Sequence, residues 1–276
     1  PAVKLPKGWC AKMKPIKAGF LQYDVGRDKA KNLEKIQRWV RGSHCDLIVL
    51  PELCLSGYLC ESRDALTQEA ELVPDGTSVA ALRELSREEN CTLVFGMPEL
   101  QDGKVYNTAV VVSRGEYLGR YRKTHLSDYE KRFFEEGSPD DPGVFQLDGF
   151  TLGVQICFDL WFPEVARSQV RQGADILCAL ANFGGETSWW MARVRALENQ
   201  TPLVLCNRIG REVQPGIEAD FLGRSALITP NGERMGEAPS NWEGLYAVLV
   251  EPAEKRGNVI CGDFVREIER HYTSKP

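Results

Sequence analysis

Residues 151–180 have the sequence TLGVQICFDLWFPEVARSQVRQGADILCAL, and the pattern within this stretch decides the fold. Residues 151–156 are mostly apolar and predict a buried strand. Residues 163–172 predict a helix that begins at a proline, and residues 176–180 predict a second strand. Strand, helix and strand in this order predict two parallel strands joined by a crossover helix. Cys157 follows the first strand directly, at the kind of position where loops offer side chains to a ligand.

The same alternation extends through the rest of the chain. Further strands are predicted at residues 16–23, 46–50, 92–97, 106–113, 117–121, 145–147, 203–208, 225–229 and 245–250, and further helices at residues 29–41, 78–89 and 189–199. Strands that alternate with helices favour parallel pairing, whereas short turns between strands favour some antiparallel pairing. We therefore predict an α/β fold, with either one mixed sheet or a two-sheet sandwich, flanked by helices.

The composition is that of an ordinary globular protein: 276 residues, 43% of them hydrophobic and 26% charged, with a net charge of −5. An acidic balance gives no electrostatic reason to expect a nucleic acid or an anionic membrane as partner. No apolar run reaches the ~18–20 residues of a membrane span, and residues 1–15 lack the apolar stretch of a signal peptide. We therefore expect a cytoplasmic protein.

The domain organisation is predicted to be simple, because no low-complexity linker or repeat divides the chain. We expect residues 1–15 to be a loose lead-in, residues 16–252 to form one domain and residues 253–276 to form a tail.

The nine cysteines are scattered, mostly in apolar runs, and include no CxxC pair. This pattern is typical of reduced, buried thiols. Because only three histidines accompany them, a zinc or redox site is not expected.

Three reactive side chains follow predicted buried strands. Glu52 comes after the run DLIVLP, Lys123 after YLGRYR and Cys157 after TLGVQI. Taken singly, each has an ordinary alternative: most buried cysteines are structural, and a lone lysine or glutamate is usually solvated or paired. Together, at three strand ends, they indicate a catalytic site in which a thiol is activated by a base and a cation.

The motifs around these residues resemble those of the nitrilase superfamily of carbon–nitrogen hydrolases, from Lys17 to about Tyr246. The matching segments are LPE at 50–52 with SGY at 56–58, YRKTHL at 121–126, EKRFF at 130–134, QICFD at 155–159, FPEVAR at 162–167, RALEN at 195–199, GRS at 223–225 and PNG at 230–232. The sequence departs from the family pattern at two places. In EEG at 135–137, relatives often carry a proline before the glycine. In ANFGG at 181–185, many relatives carry a proline or a tryptophan, and this segment should shape the acyl pocket.

The resemblance implies a four-layer αββα sandwich of two mixed sheets, with Glu52, Lys123 and Cys157 as catalytic triad and Glu130 as a supporting carboxylate. We expect Lys123 and the backbone N–H of Phe158 to hold the oxyanion. The residues expected to line the substrate pocket are Tyr58, Asp159, Asn182 and Phe183. No metal or organic cofactor has a role in this chemistry.

The expected reaction is hydrolysis of a small amide through a thioester on Cys157. A nitrile or an N-carbamoyl compound could react on the same triad, but relatives that cleave nitriles are usually longer chains. A carboxylate on the substrate would require a basic residue at the mouth, and Arg193, Arg208, Arg211 and Arg224 are eligible. A non-catalytic interaction protein of this fold would be expected to have a broken triad, and this one is intact.

Assembly is expected to be at least a two-fold symmetric dimer. The resemblance implies pairing through the helix at 163–172 and the C-terminal tail. Apolar groups in residues 181–190 and in the tail beyond Pro252 would form a large patch if they were exposed together: Phe183, Trp189, Trp190, Val259, Ile260, Phe264, Val265 and Ile268. An interface above ~2,000 Å² in total is expected for an obligate dimer.

Overall fold

The computed structural model describes residues 14–251 and, beyond them, residues 258–259, 262–263, 267–268 and 270–271. The strands are β1 (Ile16–Gln22), β2 (Leu47–Val49), β3 (Thr92–Gln101), β4 (Lys104–Ser113), β5 (Glu116–Arg122), β6 (Val144–Gln146), β7 (Thr151–Ile156), β8 (Ile176–Ala181), β9 (Leu203–Asn207), β10 (Ile209–Gln214), β11 (Ile217–Leu222), β12 (Ala226–Ile228), β13 (Arg234–Glu237), β14 (Gly244–Val250), β15 (Asn258–Val259) and β16 (Gly262–Asp263). The helices are α1 (Lys29–Val40), α2 (Arg63–Glu69), α3 (Thr77–Glu88), α4 (Pro163–Arg171) and α5 (Glu186–Asn199). Short 3₁₀ helices span Glu130–Arg132 and Cys157–Trp161.

Two six-stranded mixed sheets form the centre, with strand orders β14-β1-β2-β3-β4-β5 and β13-β12-β9-β8-β7-β6. Each sheet has three parallel strands in its middle and antiparallel strands outside them. β7 pairs in parallel with β8, from Leu152 opposite Ile176 to Ile156 opposite Leu180, and α4 connects the two strands. The strand–helix–strand prediction for residues 151–180 is therefore confirmed.

Alternation along the strands separates the core into layers. Phe20 in β1 and Ile176 in β8 belong to the cluster between the two sheets. Their neighbours face outward: Leu21 packs with α1 and α3, and Leu177 packs with α4 and α5. Because successive strand residues point to opposite faces, one strand supplies both layers. The order is helices, sheet, sheet, helices, as the resemblance implied.

Several elements escaped prediction. The hairpin β10–β11 has only one buried residue in each strand and is rich in charged residues, so it lacks the apolar alternation that marks a strand. Helix α2 buries only Leu66 and therefore shows no apolar stripe. Strand β13 has no fully buried residue. The predicted boundaries of the other elements differ from the observed ones by a few residues.

The prediction of an exposed apolar patch is wrong in part. Phe183 and Trp189 are 7% and 1% exposed and pack within their own subunit, on the core of α4 and α5. Trp190 is 50% exposed, as the prediction requires. The side chains of Val259, Ile260, Phe264 and Val265 lie outside the described residues.

No helix in the described part of the chain is long and apolar enough to cross a bilayer.

Candidate active site

The nucleophile candidate, Cys157, lies on a sharp turn between β7 and a 3₁₀ helix. Its φ angle is +46°, a left-handed conformation that costs a non-glycine residue free energy and is often found at functional sites. The six other described cysteines are buried, whereas Cys157 is partly exposed. The turn starts the 3₁₀ helix at Cys157, so the N–H of Phe158 belongs to its unbonded first turn.

Glu52 is held against β3 by a close backbone contact. The N–H of Cys54 bonds to the carbonyl of Gly96, and the N–H of Gly96 bonds to the carbonyl of Pro51. A side chain at Gly96 would come within 2.7 Å of the Glu52 Cα, so glycine is required there. The Glu52 side chain is fully buried at the end of β2.

Lys123 is bracketed by two backbone hydrogen bonds. Its N–H donates to the carbonyl of Asn107 on β4, and its own carbonyl accepts from the N–H of Gly137. A Cβ at Gly137 would lie 2.2 Å from the carbonyl oxygen of Arg122, which explains the glycine in the EEG segment. Despite the missing proline, this loop therefore still supports Lys123.

The ammonium of Lys123 lies between two carboxylates. Its Nζ is 2.7 Å from Glu52 Oε1 and 2.5 Å from Glu130 Oε1, and all three side chains are at most 1% exposed. Glu130 is fixed in turn, because its Oε2 accepts the N–H of Ser127 at 2.8 Å. An ammonium has three N–H donors, so one remains after these two bonds.

Asn107 is a member of this network that the sequence analysis missed. Its Nδ2 donates to Glu52 Oε1 at 2.7 Å and to Glu130 Oε1 at 3.1 Å, and the residue is fully buried. A signal was available, because asparagine is unfavourable inside a strand and a buried one requires partners. Glu52 Oε2, by contrast, has no protein partner.

The electrostatics of the cluster are unequal. Burial raises the pKa of Glu52 to about 7, against the opposing charge of Lys123 and with the help of Glu130. The pKa of Glu130 is lowered instead, because the charge of Lys123 and several hydrogen bonds outweigh burial. The two neighbouring carboxylates raise the pKa of Lys123 well above its ordinary value, although burial opposes them.

The thiol of Cys157 belongs to the same electrostatic unit. Burial and then the charge of Glu52 raise its pKa well above the ordinary value, while Lys123 lowers it. The free thiol therefore keeps its proton at neutral pH. A thiolate can form only if a neighbouring base takes the proton at the moment of attack.

Asp159, predicted to line the substrate pocket, is fully buried and hydrogen-bonded within the protein, and its contact with substrate stays a prediction. Both of its oxygens accept hydrogen bonds from the protein: Oδ2 from the N–H of Ile156 and the hydroxyl of Tyr121, and Oδ1 from Thr124 and the N–H of His125. The His125 ring nitrogen Nδ1 also lies 2.8 Å from Oδ1. Asp159 thus joins the segment of Cys157 to the segment of Lys123.

Tyr58, predicted to line the substrate pocket, lies close enough to the acidic cluster to respond to its charges, and its contact with substrate stays a prediction. Burial raises its pKa well above the ordinary value, as do the charges of Glu130 and Glu52. Its ring packs near Tyr129 and Phe221. Its backbone N–H donates to Glu212 of β10, so the missed hairpin holds this loop in place.

The remaining pocket candidates, Asn182 and Phe183, follow β8 directly. The backbone N–H of Asn182 lowers the pKa of the Cys157 thiol, against the larger opposing effect of burial. Phe183 packs into the core of α4 and α5, against which Cys157 also packs. Their contact with substrate stays a prediction.

All four arginines that were eligible to bind a substrate carboxylate are engaged elsewhere. Arg208 is fully buried and pairs with Glu212 and Asp24. Arg211 pairs with Glu218 in the hairpin. Arg193 donates a hydrogen bond to the carbonyl of Gly232, and Arg224 pairs with Glu186 and Glu237.

Comparison with known proteins agrees with this geometry. A family model described as carbon-nitrogen hydrolase matches residues 17–254. The chain belongs to the carbon–nitrogen hydrolase family. The prediction of an enzyme that hydrolyses carbon–nitrogen bonds other than peptide bonds is thereby confirmed at the level of the family.

The relatives of this carbon–nitrogen hydrolase differ in their named activities. The chain is 35% identical to a nitrilase of Pyrococcus abyssi, with 88% of this chain and 93% of the relative covered. It is 32% identical to N-carbamoylputrescine amidase of Arabidopsis thaliana, with 83% of each chain covered. The crystal structure of Saccharomyces cerevisiae Nit3, a member of branch 10 of the nitrilase superfamily, superposes with a TM-score of 0.78 at 26% identity, covering 95% of this chain and 96% of that one. Because a relative named nitrilase has nearly the same length, chain length does not separate nitrile from amide hydrolysis.

Proposed function

We propose that this carbon–nitrogen hydrolase cleaves a small amide to a carboxylic acid and ammonia, with Cys157 as nucleophile. The observation that carries the proposal is the buried cluster beside the thiol, in which Glu52 and Glu130 share the single ammonium of Lys123. Two carboxylates and one ammonium leave one negative charge in excess. A carboxylate of raised pKa that is not fully neutralised is a suitable general base for a thiol proton.

The first half of the reaction forms the thioester. Glu52 Oε2, which has no protein partner, accepts the thiol proton while the sulfur of Cys157 attacks the amide carbon. The carbonyl π electrons move to the oxygen, and the remaining N–H of Lys123 and the N–H of Phe158 stabilise that oxyanion. Glu52 then gives its proton to the amide nitrogen, the C–N bond breaks and ammonia leaves.

The second half releases the acid. A water molecule replaces ammonia, Glu52 takes one of its protons, and the oxygen attacks the thioester carbon. The tetrahedral intermediate collapses with cleavage of the C–S bond, and the sulfur recovers a proton from Glu52. Glu130 and Asn107 keep Lys123 and Glu52 in position throughout, since both contact the reacting groups only through these two residues.

The amide assignment is supported by the pKa of Glu52, which is raised to about 7. A carboxyl of that pKa can both accept a proton and return it to a leaving nitrogen near neutral pH. Hydrolysis of nitriles or N-carbamoyl compounds would use the same groups, and relatives are named for both activities. These two classes are therefore included in the test.

The test is a screen for ammonia release over propionamide, butyramide, an N-carbamoyl amino acid and propionitrile. We expect amides to be the best substrates, and we expect Cys157→Ala to abolish turnover while the fold is retained. Cys54→Ala, at a buried cysteine outside the cluster, is the matched control and should cost stability at most. Hydroxylamine should intercept the thioester as a hydroxamate.

Two results would contradict the proposal. One is turnover near the wild-type rate in the Cys157→Ala protein. The other is a nitrile or an N-carbamoyl compound that is hydrolysed with a higher kcat/KM than every amide tested.

We also propose that two copies of the chain form a two-fold symmetric dimer through α4 and α5. Three large apolar side chains on one side of α5 are exposed: Trp190, Val194 and Leu197 are 50%, 40% and 42% exposed. Their spacing of four and three residues places them in one stripe along the helix. Such a stripe is more typical of an interface than of a solvated helix.

A further inference from the structure

The side-chain amide of Asn182 lies beside the nucleophile without a partner of its own. The residue is 6% exposed, and neither its Oδ1 nor its Nδ2 bonds to another group of the protein. Ile156 at the end of β7 pairs in parallel with Leu180 near the end of β8, so Cys157 and Asn182 follow neighbouring strand ends and lie close together. An unsatisfied buried polar group costs about 1–3 kcal/mol, so the amide of Asn182 would gain free energy from a hydrogen bond to a bound ligand.

The direction of the Asn182 side chain follows from the alternation along β8. Ile176, Cys178 and Leu180 face the layer between the two sheets, whereas Ala181 and Phe183 face α4 and α5. Residue 182 continues the first series. Its amide is therefore directed toward the layer between the two sheets, at the end where Cys157 lies.

The segment that carries Asn182 is rigid. The side chain of Asn207, at the end of β9, accepts the N–H of Phe183 at 3.1 Å and donates to the carbonyl of Phe183 at 3.0 Å. The same Nδ2 also donates to the carbonyl of Gly223 at 2.9 Å. A polar group fixed in this way can recognise a ligand without a large loss of entropy.

The part of the substrate that Asn182 meets follows by elimination, given the proposed function, on which this inference rests. Lys123 and the N–H of Phe158 bind the oxygen of the scissile amide, and Glu52 serves its nitrogen. The next position along the substrate is the carbon attached to the carbonyl. We propose that Asn182 selects amides that carry a hydrogen-bonding group on this α-carbon: a hydroxyl, an amino or an oxo group.

The test compares substrates that differ only in that group. Lactamide, in both enantiomers, and 2-oxopropanamide are compared with isobutyramide, which has a similar shape and no polar substituent. We expect the wild-type enzyme to favour one lactamide enantiomer over isobutyramide by about 10–100-fold in kcat/KM, which corresponds to one satisfied buried amide. Asn182→Leu should bring that ratio close to one, mainly by weakening turnover of the polar substrate.

Two variants make the comparison specific. Gln155→Leu is the matched control, because Gln155 is also a fully buried amide without a partner, two residues before Cys157. It faces the helices rather than the layer between the sheets, as Gly153 in the same strand does, so its loss should leave the ratio unchanged. Asn182→Asp keeps the shape of the side chain but loses its N–H donor. Because an oxo group can only accept a hydrogen bond, kcat/KM should fall selectively for 2-oxopropanamide.

Each result decides the matter. An equal loss for lactamide and isobutyramide in both Asn182 variants would mean that Asn182 serves the scissile amide or the fold, and the inference would be overturned. So would a wild-type ratio near one. The absence of acid from every amide would overturn the proposed function and this inference with it. Normal hydrolysis without α-selectivity would overturn this inference alone.

Discussion

The raised pKa of Glu52 predicts a specific pH dependence. If deprotonated Glu52 is the base, kcat/KM for an amide should rise with pH through a single ionisation near 7, the pKa to which burial raises this carboxyl. At one pH unit below that midpoint the enzyme should retain about a tenth of its plateau activity, and at two units about a hundredth. Initial rates at substrate concentrations far below KM, measured from pH 5 to pH 9, give this profile directly.

The Glu130→Gln variant tests the cause of the midpoint. The negative charge of Glu130 raises the pKa of Glu52, so its removal should move the ionisation to lower pH while Lys123 stays charged. Plateau activity should also fall, because Glu130 no longer holds Lys123 at 2.5 Å. Glu135→Gln is the control: this half-buried carboxylate in the same loop pairs with Arg63 outside the cluster, and its loss should leave the profile unchanged.

Two outcomes would refute this reasoning. A wild-type ionisation near 4.5, the ordinary value for a glutamate, would mean that Glu52 is not the base or is not desolvated. A Glu130→Gln profile displaced to higher pH, or full activity of this variant at every pH, would remove the supporting role assigned to Glu130.

Three further predictions concern the base, its missed partner and the dimer. Glu52→Gln should lower kcat by about 10²–10⁴. The raised pKa of Glu52 stabilises the folded wild type below pH 4.5, and this contribution is lost as the pH rises through 7. Across that window the free energy of unfolding of the variant, measured by calorimetry, should therefore rise relative to that of the wild type by on the order of 3 kcal/mol. A difference that does not change with pH would contradict this. Asn107→Leu should lower kcat with little change in KM, because it frees both carboxylates that Asn107 holds, and an unchanged kcat would exclude that role. Trp190→Glu with Leu197→Glu should give a monomer by light scattering, and a chain ending at Pro252 should form a weaker dimer; a wild-type monomer at micromolar concentration, with activity intact, would refute the dimer.

The strands and helices that could be predicted from the sequence are those whose apolar residues form a buried face. β7 was predicted with its observed bounds, because six consecutive residues are mostly apolar and the helix α4 begins at a proline. The hairpin β10–β11 could not be predicted in this way. It is stabilised by pairing and by ion pairs such as Arg211–Glu218 rather than by a buried face.

The residues of the candidate site likewise include some that could be predicted from the sequence and some that could not. Glu52, Lys123 and Cys157 could be found because each ends a recognisable strand. The role of Asp159 could not be read from its neighbourhood in sequence, because its donors include Tyr121 and His125 of a distant segment. Asn107 was hidden by its place inside a strand, where a polar side chain gives no indication of the face to which it points.

The second carboxylate changes what the first one can do. With Lys123 as its only charged neighbour, Glu52 would have a lower pKa than it has beside Glu130, and it would be a weaker base. Burial is the main cause that raises the pKa of Glu52 to about 7, and the negative charge of Glu130 adds to it. Glu130 shares the same ammonium and also receives the N–H of Ser127, so its own pKa is lowered. A carboxyl with this pKa loses little free energy in accepting the thiol proton or in returning it to a leaving nitrogen. On this argument Glu130 matters to the chemistry through Glu52 as well as through Lys123, and for that reason the Glu130→Gln profile must shift as well as fall.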